Sequence, residues 1–342
     1  MSAGIAYVRW LVMPRILDAP PIAAGHGAME VHVLMPKQRL LETAWALYSF
    51  LRCSARPMRV VVHDDGSLDE SCRAGLARLF PGVTIIDRAA ADRAVISELQ
   101  QRGLPLLAEL RKRLIFALKL IDPFLFGATD SYVILDSDIL TFRRPTQLID
   151  GQGHLFSLDH NDYGYSFPPR VLRYLLGRDV IERVCAGLLR VDRGAFSLER
   201  LEEHLRATDL LHDPRANFVH TEQTLYGCEM AVEGAACLDP NAYATWWDPH
   251  TPQIAMMHYC GGIAWSPQYH SGLHRVANKI GLSGRFARSL AAITGLARVH
   301  DPEAPSGRMR PEEIASSREA RHFAESWAAW QPQPIPAETT GD

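Results

Sequence analysis

The chain has no cysteine pair spaced for metal or redox chemistry. Its six cysteines, at positions 53, 72, 185, 228, 237 and 260, form no C-x-x-C unit. That excludes a zinc cluster or a thioredoxin-like motif as its organising feature. In a chain of 342 residues, scattered single cysteines read as reduced core residues of a cytosolic protein, not as a disulfide framework. Long apolar runs are missing too: no stretch approaches the roughly 18 residues needed to cross a bilayer. The opening segment MSAGIAYVRWLVMP lacks a basic start followed by an extended apolar run. No signal peptide is therefore expected, and the expected location is the cytoplasm. Nor is there an excess of one charge. Lys and Arg number 36 against 39 Asp and Glu, a net −3, so no broad basic field invites nucleic acid. An anionic ligand would need local cations or a metal. No internal repeat is visible.

What is there is an ordinary globular composition, 47% hydrophobic, in a chain long enough to bury a sizeable core. Residues 1–29 form an irregular Pro/Gly/Ala-rich lead-in. Glu30–Met35 then reads as a strand and 37–53 as a helix, with Leu40, Leu41, Ala44, Leu47, Tyr48 and Leu51 on one side. Met58–His63 is a second strand, closed by Asp64-Asp65-Gly66-Ser67 as a turn and helix cap. A helix to Phe80 and a short strand at 83–87 follow. Residues 89–126 are mostly helical, broken near Gly103 and Pro105, and Tyr132–Leu135 is an apolar strand. Strands alternating with helices specify an α/β fold with a mostly parallel, doubly wound sheet and helices on both faces. Strands at 154–158 and 187–191, a helix at 196–205 and a final helix at 311–330 are also expected.

The feature that carries chemistry is Leu135-Asp136-Ser137-Asp138-Ile139-Leu140. Two carboxylates leave the carboxyl end of a buried strand, where open α/β sheets bind ligands. Feeding two acids into that crevice is costly unless a cation is present. Mg²⁺ and ions like it take one or two carboxylates plus substrate phosphates. Asp136 and Asp138 therefore suit a metal–diphosphate site, the alternative being a solvated turn.

Residues 114–145, with a helical Lys119, the strand 132–135, Asp136-Ser137-Asp138 and then Phe142-Arg143-Arg144-Pro145, resemble the Asp-x-Asp region of GT-A glycosyltransferases. The resemblance is to family 8, which contains glycogenin and many bacterial sugar transferases. It implies the GT-A nucleotide-diphospho-sugar transferase fold. It also implies that Asp138 binds the metal, that Asp136 binds it or touches the ribose, and that Lys119 reaches the nucleotide or phosphate side. Thr221-Glu222-Gln223-Thr224-Leu225 resembles the acidic-Gln pair that opens a helix facing the sugar. Glu222 and Gln223 thereby become candidate catalytic residues, Glu222 otherwise being a helix-start acid. His258-Tyr259-Cys260-Gly261 resembles the late His-x-x-Gly motif, whose histidine is the third metal ligand. An imidazole donor favours Mn²⁺, with Mg²⁺ as the alternative. Ser137, Gly187 and Gly261 join Lys119 and Asp136 as expected donor contacts.

Two departures stand out. The family's late motif continues to Lys-Pro-Trp, but this chain has Ala264 and Trp265 there, leaving His270, His274, Arg275 and Lys279 as alternative phosphate contacts. Where the family carries Asn-Ser-Gly or Asn-Ala-Gly, this chain has Cys185-Ala186-Gly187. The expected relationship is therefore a divergent one.

The expected domains are a catalytic domain at 30–265, split into a nucleotide-binding half (30–150) and an acceptor half (151–265), a helical appendage at 266–330 and a disordered tail at 331–342. Asp159, ending the strand 154–158, is a candidate sugar contact or base, against a simple loop acid. Trp246-Trp247-Asp248 offers aromatic faces for a sugar, against ordinary core packing. The basic amphipathic stretch 279–299 is a candidate for peripheral membrane contact, against packing on its own domain.

The expected reaction is metal-dependent transfer of a sugar from a nucleoside-diphosphate sugar to an acceptor hydroxyl, retaining by resemblance. The acceptor, whether glycan, lipid-linked or small molecule, is open. The rivals are an inactive GT-A-like sugar-nucleotide binder and a haloacid-dehalogenase-type phosphatase. That phosphatase pattern places Asp-x-Asp near the chain start, with Thr or Val where Leu140 stands here.

Overall fold

A computed structural model describes residues 13–159, 164–245, 251–260 and 267–279, together with Glu325, Trp327 and Ala328. The first half alternates β1 (Glu30–Met35), α1 (Leu40–Ser54), β2 (Arg59–Asp64), α2 (Glu70–Leu79) and β3 (Thr84–Ile86). Three helices follow, α3 (Arg88–Gln101), α4 (Pro105–Arg113) and α5 (Ala117–Phe126), then β4 (Ser131–Leu135). The expected break at Gly103 and Pro105 is there. A second break falls at Leu114, whose backbone is extended. The cap that starts α2 is Asp69, accepting from the Cys72 amide, while Asp64 holds the preceding turn by accepting from Gly66 and Leu68.

The second half adds β5 (Ile139–Thr141), α6 (Thr146–Asp150), β6 (His154–Leu158), α7 (Pro169–Leu176), β7 (Val184–Asp192) and α8 (Leu198–Thr208). It ends with α9 (Thr221–Glu233), β8 (Ala235–Cys237), β9 (Tyr243–Thr245), β10 (Met256–His258) and α10 (Pro267–Lys279). A seven-stranded sheet has the order β3-β2-β1-β4-β7-β6-β8. Its β3-β2-β1-β4 portion is parallel, and β7 runs antiparallel to both β4 and β6. From β1 the chain winds outward through β2 and β3, then returns to lay β4 on the other side of β1. The crevice beyond β1 and β4 is therefore the topological switch point, where α/β sheets bind ligands.

Alternation along the strands builds two cores. Val31, Val33, Val62, Val133 and Leu135 face α1 with its Trp45 and Phe50. Tyr132, Ile134, Leu189 and Val191 face Leu107, Leu110, Leu120 and Ile121 of α4 and α5. A second sheet of three short strands, β5-β10-β9, lies beyond the end of β4. β5 pairs antiparallel with β10, placing Ile139 opposite His258.

α10 closes over this small sheet: Lys279 Nζ donates to the Phe142 carbonyl at 2.6 Å, and the Arg275 guanidinium lies 4.3 Å from the Phe142 ring centre. Trp327, fully buried, meets Phe167 edge-on with ring centres 5.0 Å apart. Beyond Lys279, the amphipathic stretch 279–299 lies outside the described residues, as do 331–342 and Trp246-Trp247-Asp248. Among the described residues, no helix is long and apolar enough to cross a membrane.

Two buried histidines join β1 to β2. His32 Nδ1 lies 2.9 Å from His63 Nε2, and His32 Nε2 lies 3.5 Å from Glu30. Burial is the main reason that His32 holds a proton weakly, pushing it down from 6.5 to about 4; His63 and Arg193 add to this and Glu30 opposes it. Between those values the unfolded chain binds a proton that the folded chain does not. This contribution to stability is therefore complete above pH 6.5 and falls as the pH drops toward 4. A shift of this size corresponds to about 3 kcal/mol. Urea midpoints should fall across that window in the native sequence and fall less in His32→Phe. Equal pH slopes in the two proteins would refute the assignment.

Candidate active site

Asp136 is the first residue beyond β4. Its amide donates to the Gly187 carbonyl at 2.8 Å, which ties the turn to β7. Asp138 sits immediately before β5, and its carbonyl accepts from the Tyr259 amide at 3.0 Å, which ties the same turn to the end of β10. These backbone bonds fix both acids against His258. His258 Nε2 lies 3.1 Å from Asp138 Oδ1 and 3.8 Å from Asp136 Oδ2. Ligand atoms of the three side chains all fall within 4.8 Å of one another, the one such group of three among the described residues. Ligands of an octahedral ion at roughly 2.1 Å are about 3 Å apart when adjacent and about 4 Å apart when opposite. The three donors therefore fit a single divalent ion, and their chemistry, two carboxylates and an imidazole, suits Mn²⁺ or Mg²⁺.

Gly187 forms the wall behind them. A methyl group there would overlap His258 Cε1 and fall 2.7 Å from Asp136 Oδ2. Glycine at this position lets a strand backbone approach two ligand side chains closely.

Lys119, on α5, reaches the other oxygen of Asp136. Its Nζ lies 2.7 Å from Asp136 Oδ1 and 3.3 Å from Glu222 Oε1. Lys119 and Glu222 are both buried. Burial disfavours the lysine's charge, but Asp136 and Glu222 outweigh it and raise its pKa above the ordinary value. One cation thus faces two carboxyls. Glu222 takes up a proton instead: burial, with help from Asp136 and against Lys119, pushes it up to about 8. Asp138 and His258 form a second pair. Burial disfavours charge on both; Cys260, Cys185 and Asp138 nonetheless hold His258 above its ordinary range, and His258 holds the Asp138 carboxyl below its own.

Glu222 and Gln223 lie in the first turn of α9, as the sequence suggested. The Gln223 amide nitrogen donates to Asp159 Oδ2 at 2.9 Å and to the Gly164 carbonyl at 2.8 Å, while its oxygen accepts from the Ala186 amide at 3.3 Å. Gln223 therefore bridges the end of β6 to β7. Asp136, Asp138, His258, Lys119, Glu222 and Gly187 come together, and Gln223 links Asp159 to the same wall. Ser137 lies in the turn between the two acids. Gly261, Ala264 and Trp265 lie outside the described residues. Cys185 is an addition that motif reading missed: its sulfur lies 3.1 Å from His258 Nδ1.

Neither a protein-family model nor a curated protein sequence matches the chain. Solved structures do. The galactosyltransferase LgtC, crystallised with donor and acceptor sugar analogues, aligns with a TM-score of 0.50 at 17% identity, over 74% of this chain and 95% of that one. Mouse xyloside xylosyltransferase 1 aligns at 0.46 and 14% identity, over 71% of this chain and 98% of that one. The glycosyltransferase GlyE of Streptococcus pneumoniae aligns at 0.47 and 14% identity, over 77% and 64% of the respective chains. At such identities the likeness is one of fold, and the LgtC alignment carries it. Strand order, the acids at the switch point and that alignment identify the fold as that of the GT-A glycosyltransferases.

Proposed function

We propose that this protein transfers a sugar from a nucleoside-diphosphate sugar to an acceptor hydroxyl, holding a divalent ion with Asp136, Asp138 and His258. The observation that carries the reading is the convergence of these three donors, within 4.8 Å, at the switch point of the sheet. Held by Asp136, Asp138 and His258, a divalent ion would supply Lewis-acid stabilisation of the charge on the departing nucleotide diphosphate. The GT-A fold and the motif order favour a relative of family 8, and the LgtC structure with donor and acceptor analogues supports both a donor and an acceptor subsite.

The chain's own groups divide the remaining work. Lys119 holds Asp136 by one oxygen, which leaves Oδ2 turned toward His258. Glu222, protonated below about pH 8, is a hydrogen-bond donor poised to orient a sugar hydroxyl. A carboxyl raised toward the working pH also suits a general base, so Glu222 keeps both roles. Asp159, the other candidate base, is engaged by Gln223. Retention follows from the resemblance to family 8, and an inverted product would assign Glu222 or Asp159 as the base. Gln223 and Gly187 shape the wall between metal and sugar.

Turnover of a panel of sugar nucleotides with Mn²⁺ tests the proposal. EDTA is expected to reduce transfer to background and Mn²⁺ to restore it, with the product keeping the donor's anomeric configuration. Full transfer in excess EDTA overturns the metal role, and an inverted product overturns retention. Phosphate release from simple phosphate esters, without sugar transfer, identifies the phosphatase instead.

A further inference from the structure

β7 does not pair evenly with β6. Phe156 lies opposite Leu189, but the next β6 residue, Ser157, lies opposite Cys185. Ala186, Gly187 and Leu188 are thus extra residues on β7, a bulge of the kind that re-aims side chains beside active sites. Its backbone is spent on the site: the Gly187 carbonyl accepts from the Asp136 amide, the Ala186 amide donates to Gln223, and the Leu188 carbonyl accepts from Ser157 Oγ. The same irregularity sets the Cys185 sulfur 3.1 Å from His258 Nδ1. Cys185 is buried, so water does not compete for that contact.

We infer that Cys185 is a positioning residue: its sulfur accepts a hydrogen bond from the Nδ1–H of His258 and so keeps the Nε2 lone pair free for the divalent ion. This rests on the metal site proposed above. Neutral imidazole carries one proton, and the nitrogen that binds a metal must be the bare one. His258 Nε2 is the nitrogen facing Asp136 and Asp138. The proton therefore belongs on Nδ1, where the only requirement is an acceptor. Metal-bound histidines generally donate their other N–H to a carboxylate, carbonyl or water, and such partners fix both ring orientation and tautomer. Here a thiol sulfur takes that place. Gly187, two residues along the same strand, leaves room for the ring so fixed. Sulfur is a weak acceptor, so a hydroxyl at the same position preserves the arrangement and a methyl group removes it.

The experiment is a Mn²⁺ titration of the full chain, following the electron paramagnetic resonance signal of the free ion. Cys185→Ala is expected to weaken binding about ten- to a hundredfold, and Cys185→Ser to bind close to the native sequence. Native protein with ¹⁵N-labelled histidine and saturating Mg²⁺ should show His258 protonated at Nδ1 and bare at Nε2, a readout that needs no variant. If the native chain binds Mn²⁺ and Cys185→Ala binds it equally, the role of Cys185 is overturned while the metal site stands. A Mg²⁺-loaded His258 protonated at Nε2 overturns that role as well. If the native chain binds neither ion, the metal site itself is overturned, and the role of Cys185 with it.

Discussion

Asp138→Asn is expected to lower sugar transfer by about a thousandfold or more, the scale seen when one electrostatic contact to a transition state is lost, and to abolish Mn²⁺ binding at concentrations that saturate the native chain. The residue is 7% exposed, and Oδ1 lies 3.1 Å from His258 Nε2. An amide keeps the shape of the carboxyl and removes its charge. A bound ion would then lose an anionic ligand, and His258 one of the neighbours that raise its pKa. Asp136 does not compensate, because Lys119 already neutralises one side of it at 2.7 Å. Folding should be little disturbed, since the backbone carbonyl of residue 138 that binds Tyr259 is unchanged. Donor turnover, Mn²⁺ affinity and the thermal midpoint, measured side by side, check this. Native turnover in Asp138→Asn would remove the metal cage from the mechanism.

The acids were legible in the sequence because their cost is. Tyr132–Leu135 is apolar throughout, and such a run ending in Asp-Ser-Asp demands either a cation or solvent. His258 was legible only by analogy: the strand that carries it is three residues long, and its partner β5 is equally short. Periodicity needs longer segments than these to separate strand from loop. The small sheet β5-β10-β9 therefore escaped notice as a unit, although it alone puts residue 258 beside residue 138. The break at Leu114 was hidden for a related reason, since 114–117 (Leu-Ile-Phe-Ala) has no glycine or proline to mark it. Two site properties have no local signature whatever. The proton on Glu222 arises chiefly from its burial, with Asp136, from a distant turn, adding to the effect and Lys119 opposing it. The approach of Cys185 to His258 spans 73 positions and depends on a bulge that neither segment encodes by itself.

The largest expected stability effect lies beneath this site, at Asp122. It is fully buried on α5, and Arg111 on α4, also buried, grips it with two bonds: Nε to Oδ1 at 2.7 Å and Nη2 to Oδ2 at 2.9 Å. Arg111 Nη1 continues to Asp92 on α3 at 2.6 Å, and His63 on β2 lies 3.7 Å from Asp122. Three helices and the sheet thus meet on one ion pair. Asp122→Ala leaves a guanidinium buried with its strongest partner gone, and should cost about 3–5 kcal/mol, a large share of the roughly 5–15 kcal/mol that holds a domain folded. Replacing both members, as Arg111→Met with Asp122→Leu, should recover most of that loss, because the desolvation cost disappears with the charges. Urea midpoints for the native chain, Arg111→Met, Asp122→Leu and the pair give the coupling directly; a double variant no better than Asp122→Leu alone would show that shape, not charge, matters at this point. The consequence reaches the site through one helical turn. Lys119 precedes Asp122 by three residues on α5, so the pair that anchors the helix also sets where Lys119 Nζ meets Asp136. In the charge-free double variant, restored stability with a raised KM for the donor would separate what the ion pair does for folding from what it does for the site.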